Sequence, residues 1–136
     1  MATLAAVVGI GQTHYKTRRS DVSIAGLVRE AAVNALADAD LGWDDIDAVI
    51  IGKAPDMFEG VIMPELYLTD ALGCNGKPML RVHTAGSVGG STALVAASHV
   101  QSGMFRRVLT VTFEKQSESN AMWALSTPQP FSVHLN

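Results

Sequence analysis

Four short apolar runs punctuate the chain, Leu4–Ile10, Ile46–Ile51, Met79–His83 and Arg107–Phe113, and the stretches between them carry apolar residues at helical spacing. A run that is apolar at nearly every position, without polar alternation, suits a strand buried on both faces. The first run closes on Gly9 and Gly11, and Gly52 closes the second. Between those two, Ile24, Leu27, Val28, Ala31, Ala32, Ala35 and Leu36 share one helical face. This helix is predicted to extend to about Ala39, with Ser23 as the N-cap whose hydroxyl accepts from an orphan backbone N–H. Leu41–Asp45 reads as a turn, with Gly42 available for a left-handed residue. Lys53–Pro64 reads as a long loop, Glu65–Leu72 as a short helix and Gly73–Pro78 as a turn. Gly86–Gly103, GSVGGSTALVAASHVQSG, ends in a helix of small residues stopped by Gly103. The resulting order is β-α-β-α-β-α-β, which implies an α/β fold with a mainly parallel sheet and right-handed crossovers.

Loops at the carboxyl ends of parallel strands collect the chemistry in such folds. Here they are Gly11–Arg19, Gly52–Met63, Thr84–Gly90 and the residues from Glu114 onward, where the pattern fades into Ser, Asn, Thr and Pro.

Composition narrows the class. With 136 residues, 48% of them apolar and 17% charged, the chain reads as one globular domain with a real core. Aromatics supply only 6%, so the core is expected to be built from Ala, Val, Leu and Ile. The net charge is −3, and acidic and basic residues are interspersed apart from Arg18-Arg19. No basic stripe exists, which argues against a nucleic-acid partner. The lone Cys74 can form neither an internal disulfide nor a CxxC metal site, and nothing near it in sequence would lower its pKa. The apolar N-terminus has no basic flank and breaks at Gly9–Gln12, so it reads as a strand and not a signal peptide. No apolar run is long enough to span a bilayer, and the reading is a cytoplasmic protein.

Two glycine-rich turns are candidates for ligand contact. Gly9–His14, GIGQTH, has the first two glycines of a dinucleotide fingerprint. Its third position is His14, however, and the loop to the helix is too long to place a helix N-terminus under a pyrophosphate. Gly86–Thr92, GSVGGST, lacks the lysine of a phosphate-binding loop. It nevertheless offers close backbone approach at Gly89 and Gly90, and a helix N-terminus with free N–H groups and partial positive charge. Such an end can stabilise a nucleophile's anion or an oxyanion. The small residues Gly89, Gly90, Ser91, Ala93, Ala96 and Ala97 suggest a helix packed tightly on all sides. Ser87 stands at the helix start, as an N-cap or as a nucleophile. His83 is the nearby candidate base, and a histidine there equally suits a cavity or interface lining. Glu114 and Lys115 read either as a solvated pair or as a support for the loop covering the site.

At these residues the chain resembles the N-terminal half of the thiolase superfamily, in particular thiolases of the sterol-carrier-protein-x and lipid-transfer type. The resemblance is carried by VVGIGQTHY at the start, by EAAVNALADADLGWDDIDAVIIG, and by RVHTAGSVGGSTALVAASHVQSGMFRRVLTVTFEKQSE, and so covers nearly the whole chain, 1–136, as one N-terminal thiolase-like domain. It implies a thiolase-like α/β fold, the N-terminal βαβαβαβ half of one, in which this strand-turn-helix carries a nucleophilic cysteine at the start of a buried helix. Laid on Gly86–Leu94, the cysteine position becomes Ser87. A hydroxyl is far less acidic than a thiol, and some relatives without the cysteine are associated with retro-aldol cleavage of steroid side-chain CoA thioesters. Those relatives work with a partner protein bearing an OB-fold and a zinc ribbon.

The resemblance also implies that the fifth strand of the first half and the whole C-terminal half, with the catalytic histidines and a second cysteine, belong outside this sequence. The expectation is therefore half of an active site. It has Ser87 at the reacting position, His83, Gly89 and Gly90 facing substrate, and a CoA thioester as substrate with no resident cofactor or metal. Lys53–Met63 and Glu114–Leu135 would shape the acyl pocket, and Met79–His83 would pair across a homodimer axis. Two other readings stand beside an enzyme of acyl-CoA metabolism: a lipid or acyl-CoA binding protein without catalysis, and a nucleotide-binding domain using Gly9–His14.

Overall fold

The structure, a computed structural model, describes residues 4–54, 60–61 and 63–118. It contains α1 (Ile24–Asp38), β1 (Ala48–Gly52), a short α2 (Pro64–Tyr67), β2 (Met79–Val82), α3 (Val88–Gln101) and β3 (Val108–Thr112). The three strands form one sheet in the order β2-β1-β3, and both pairings are parallel. Val49 stands opposite Met79 on one side and Leu109 on the other. The central strand is buried at every residue, as its unbroken apolar run requires.

Side chains alternate across the sheet and so divide it between two helix layers. Val49, Ile51, Leu109 and Val111 join Val28, Ala32 and Leu36 of α1 in the main core cluster. Gly52 faces the other way, onto α3. A Cβ there would lie 2.1 Å from Thr92 Oγ1 and 3.1 Å from Val88 Cγ2, so the missing side chain is what lets the first turns of α3 settle on the sheet. Thr92 is fully buried, and its hydroxyl donates to the Val88 carbonyl at 2.7 Å.

Local signals set the helix ends. Ser23 Oγ accepts from Gly26 N at 3.1 Å, capping α1 as expected. Gly103, at φ +76°, takes the left-handed position just beyond α3. In the turn after α1 the left-handed residue is Asp40 (φ 53°), not Gly42, which is extended. The Gly42 N–H instead donates to Asp45 Oδ2 at 2.8 Å, and the Asp45 N–H donates back to the Gly42 carbonyl at 3.1 Å. The helix expected over Glu65–Leu72 is a single turn, Pro64–Tyr67, continued by turns through Gly73. Pro64 at its first position suits a helix start, and the chain then tightens through Leu72 N–Leu68 O and Gly73 N–Asp70 O bonds.

The first apolar run departs from expectation. Residues 4–10 form no strand, and Leu4 and Val7 are each 83% exposed. The segment is held against α1 instead. Its Ile10 N–H donates to Asp38 Oδ2 at 2.9 Å, and Asn34 Nδ2 donates to the Gln12 carbonyl at 3.3 Å. Gly9 and Gly11 lie so close to α1 that Cβ atoms would come 2.5 Å from Ala35 O and 2.2 Å from Ala31 O. A groove of about 390 Å³, lined by Ala31, Val28 and Val111 among others, separates the segment from β3. The glycines thus serve helix contact, and among the described residues this run meets no strand with which to share a ladder.

Candidate functional site

The carboxyl ends of all three strands open on one edge of the sheet, where Lys53, His83 and Glu114 follow β1, β2 and β3. Beyond β2 the chain makes a 3₁₀ turn, Ala85–Ser87, and enters α3 directly. Ala85 holds φ +48°, an uncommon conformation for a residue with a side chain. Ser87 N and Ser87 Oγ both donate to the Thr84 carbonyl, at 3.2 and 2.8 Å. Thr84 Oγ1 in turn donates to Ser91 Oγ at 2.8 Å.

Ser87 therefore occupies the N-cap position of α3 without capping it through its side chain. The Val88 N–H donates to the Ala85 carbonyl, and among the described residues no side chain caps the positive end of α3. Ser87, Gly89 and Gly90 are exposed, and nothing lies within 4 Å of where a Cβ would stand on either glycine. A ligand can reach the backbone there, and the helix end suits a developing oxyanion. His83 is also exposed, but the Ser87 hydroxyl is turned onto Thr84 and no hydrogen bond joins it to His83. The structure thus brings Ser87, Gly89 and Gly90 together on one helix end, and among the described residues no base is bonded to the serine.

Tight packing of α3 on all sides is not observed. Val88, Thr92 and Ala96 are buried against the sheet, whereas Gly89, Gly90, Ala93 and Leu94 are exposed, Leu94 by 71%. Small residues permit close approach, but among the described residues only the sheet approaches. His99, in the last turn, meets Phe105 edge-on at 5.8 Å.

The sequence reading missed Lys53. Its side chain is fully buried, and Nζ lies 3.8 Å from Glu114 Oε2. Glu114 Oε1 also accepts from the Ala54 backbone N–H. This pair ties the carboxyl end of β1 to that of β3. A charged residue directly following each of two apolar strands was the available signal. Glu114 and Lys115 are accordingly not a solvated pair: Lys115 Nζ reaches the Val22 carbonyl at 2.9 Å and Glu118 at 3.1 Å. Near the other edge, Arg81 of β2 lies 3.6 Å from Glu65 of α2. Cys74 is buried, and burial pushes its thiol pKa up, in keeping with an unreactive group.

The dinucleotide reading of Gly9–His14 fails on geometry. Its glycines press against α1, and the helix N-terminus comes only at Ile24. No group of His, Cys, Asp and Glu among the described residues is placed to hold a metal ion, and no described helix is long and apolar enough to cross a membrane. Of the two loops expected to shape an acyl pocket, residues 55–59, 62 and 119–136 lie outside the described residues.

The parallel sheet between two helix layers, with its strand–3₁₀–helix junction at Ser87, is similar to the thiolase-like α/β fold of known proteins. Human sterol carrier protein 2 is 28% identical over 116 residues, 84% of this chain and 21% of that protein. The acetyl-CoA acetyltransferase of Methanothermobacter thermautotrophicus is 28% identical over 117 residues, 83% of this chain and 30% of that protein. Among solved structures, the Ltp2-ChsH2(DUF35) aldolase matches with a TM-score of 0.63 and 26% identity, covering 96% of this chain and 34% of that one. The 3-oxoacyl-[acyl-carrier-protein] synthase III of Aquifex aeolicus matches with a TM-score of 0.64 and 25% identity, over 74% of this chain and 33% of that one. No family model matches. The chain spans about a fifth to a third of the length of these relatives.

Proposed function

We propose that this chain is the N-terminal part of a thiolase-superfamily enzyme acting on acyl-CoA thioesters, by acyl transfer or by retro-aldol cleavage of a carbon–carbon bond in lipid or steroid side chains. The observation that carries this reading is the uncapped start of α3, with Ser87, Gly89 and Gly90 exposed around it in a thiolase-like fold. The helix end supplies N–H donors for a thioester or enolate oxygen. Ser87 stands where relatives keep a cysteine. A hydroxyl bonded to a backbone carbonyl, with no base on it, is a poor nucleophile. Cleavage that needs no acyl-enzyme therefore suits this site better than thiolysis, with the acid and base supplied by a C-terminal half. His83, Gly89 and Gly90 would line the substrate.

The edge position of β2 supports a homodimer through Met79–His83. The aldolase neighbour is an Ltp2-ChsH2(DUF35) pair, which supports a partner protein, and the resemblance implies that this partner carries an OB-fold and a zinc ribbon. A cytoplasmic setting is part of the same reading.

The test is turnover and binding of an acyl-CoA thioester by the full polypeptide and by its Ser87→Ala variant. Loss of turnover with intact binding assigns Ser87 a part in the reaction. Unchanged turnover reduces it to a structural turn residue and leaves an aldolase with its base elsewhere. Normal turnover by the 136-residue chain alone would overturn the half-site reading. A second reading, acyl-CoA binding without catalysis, is favoured by the Ser87 hydroxyl donating to the Thr84 carbonyl with no base on it among the described residues, and binding without turnover in the full polypeptide would establish it.

A further inference from the structure

In the turn between β2 and α3 the left-handed residue is Ala85 (φ +48°), although Gly86 beside it would adopt that conformation without strain. A side chain held there needs neighbours that fix the turn. Thr84 supplies them through both of its oxygens. Its carbonyl accepts from Ser87 N at 3.2 Å and from Ser87 Oγ at 2.8 Å. Its hydroxyl lies 2.8 Å from Ser91 Oγ, on the first turn of α3. Thr84 therefore ties the end of β2 both to the helix and to the serine at the helix start.

A carbonyl carries no proton, so the Ser87 hydroxyl is the donor in its contact with Thr84. With that one proton committed, Ser87 Oγ has only lone pairs left for a ligand. The adjoining helix end is its opposite, a set of N–H donors with partial positive charge. A ligand that satisfies both must accept at the helix end and donate to Ser87 Oγ. A thioester carbonyl does the first. A hydroxyl on the acyl chain does the second, and a plain hydrocarbon chain has nothing to donate.

We infer that Thr84 is the positioning residue that makes Ser87 an acceptor, and that Ser87 so held selects acyl-CoA thioesters bearing a hydroxyl on the acyl chain over those without one. The inference rests on the acyl-CoA reading and narrows its substrate class. Thr84 acts through Ser87, and Ser91 holds Thr84 in place.

The test is calorimetric titration of the full polypeptide with 3-hydroxybutyryl-CoA and with butyryl-CoA, two probes that differ by one hydroxyl. The unaltered polypeptide is expected to favour the hydroxylated probe about five-fold, the net worth of one hydrogen bond. Ser87→Ala is expected to abolish that preference. Thr84→Val keeps the branched shape but loses the Ser91 contact, and it is expected to abolish the preference too, as is Ser91→Ala. Thr84→Ser keeps the hydroxyl and is expected to retain it. Unchanged unfolding midpoints serve as the folding control. A purely structural role for Thr84 would weaken both probes alike and leave their ratio intact, and that result would overturn the inference. So would equal binding of the two probes by the unaltered polypeptide. The acyl-CoA reading stands in both cases. Failure of the unaltered polypeptide to bind either probe would overturn that reading as well.

Discussion

Lys53 Nζ lies 3.8 Å from Glu114 Oε2, with the lysine wholly shielded from solvent and the glutamate half-buried. This pair bridges the carboxyl ends of β1 and β3, and the same glutamate anchors the Ala54 N–H. Removing one member of a buried pair is far more damaging than replacing both. Glu114→Ala is expected to lower the unfolding free energy. The double change Lys53→Met/Glu114→Leu is expected to recover most of that loss. Denaturant unfolding of the two variants checks this, and equal losses would show that packing rather than charge dominates.

At the opposite end of the sheet, Asp47 Oδ2 accepts from the backbone N–H groups of Arg106 and Arg107 at 2.8 and 2.9 Å. These donors favour the carboxylate and hold its pKa below the ordinary aspartate value of 3.8. The folded pKa is lowered, so the stabilisation is complete above the unfolded pKa. It is lost as the pH falls from there through the folded value. Asp21 and Glu30, held low by the Arg19 guanidinium, act in the same direction. Asp47→Asn cannot titrate, so its stability is expected to fall less steeply below about pH 4 than that of the unaltered chain. Unfolding midpoints measured from pH 7 to pH 3 read the slope.

Gly52 fixes the seat of α3. Gly52→Ala places a methyl 2.1 Å from Thr92 Oγ1 and 2.9 Å from Thr112 Cγ2. The helix must shift or the threonines must change rotamer, at an expected cost of about 1–3 kcal/mol. Adding Thr92→Ala relieves the closest contact and is expected to restore part of the loss. A thermal melt of the single and double variants measures the coupling.

Gly90 should behave oppositely. No atom lies within 4 Å of its missing Cβ, and it sits inside a helix, where alanine is favoured by about 0.5–1 kcal/mol. Gly90→Ala is therefore expected to stabilise this chain. If the glycine admits substrate to the helix end, the same change raises the KM for an acyl-CoA thioester. Stability and KM, measured on one variant, separate packing from function.

Cys74 is expected to resist alkylation in the folded protein, because its thiol is buried and its pKa is raised. Labelling should become fast only in denaturant. Rapid native labelling would mean that the turn before β2 opens readily.

The strands at Ala48–Gly52 and Val108–Thr112, the helix Ile24–Asp38 with its Ser23 cap, and the stop at Gly103 were all legible in the sequence. Each rests on a short-range rule: unbroken apolarity for a strand buried on both faces, helical spacing for an amphipathic helix, a hydroxyl or a glycine for a helix end. The Ser87 junction was legible for the same reason, since a glycine-rich turn before a small-residue helix is local. Long-range pairing decided the rest. Leu4–Ile10 has strand composition, but a strand needs a neighbour, and the described chain gives this segment α1 instead. Only the fold brings Lys53 to Glu114, residues far apart in sequence that become adjacent because β1 and β3 pair in parallel. Local chemistry thus determined which elements exist, and the tertiary structure decided which of their ends meet, because that depends on contacts no sequence window contains.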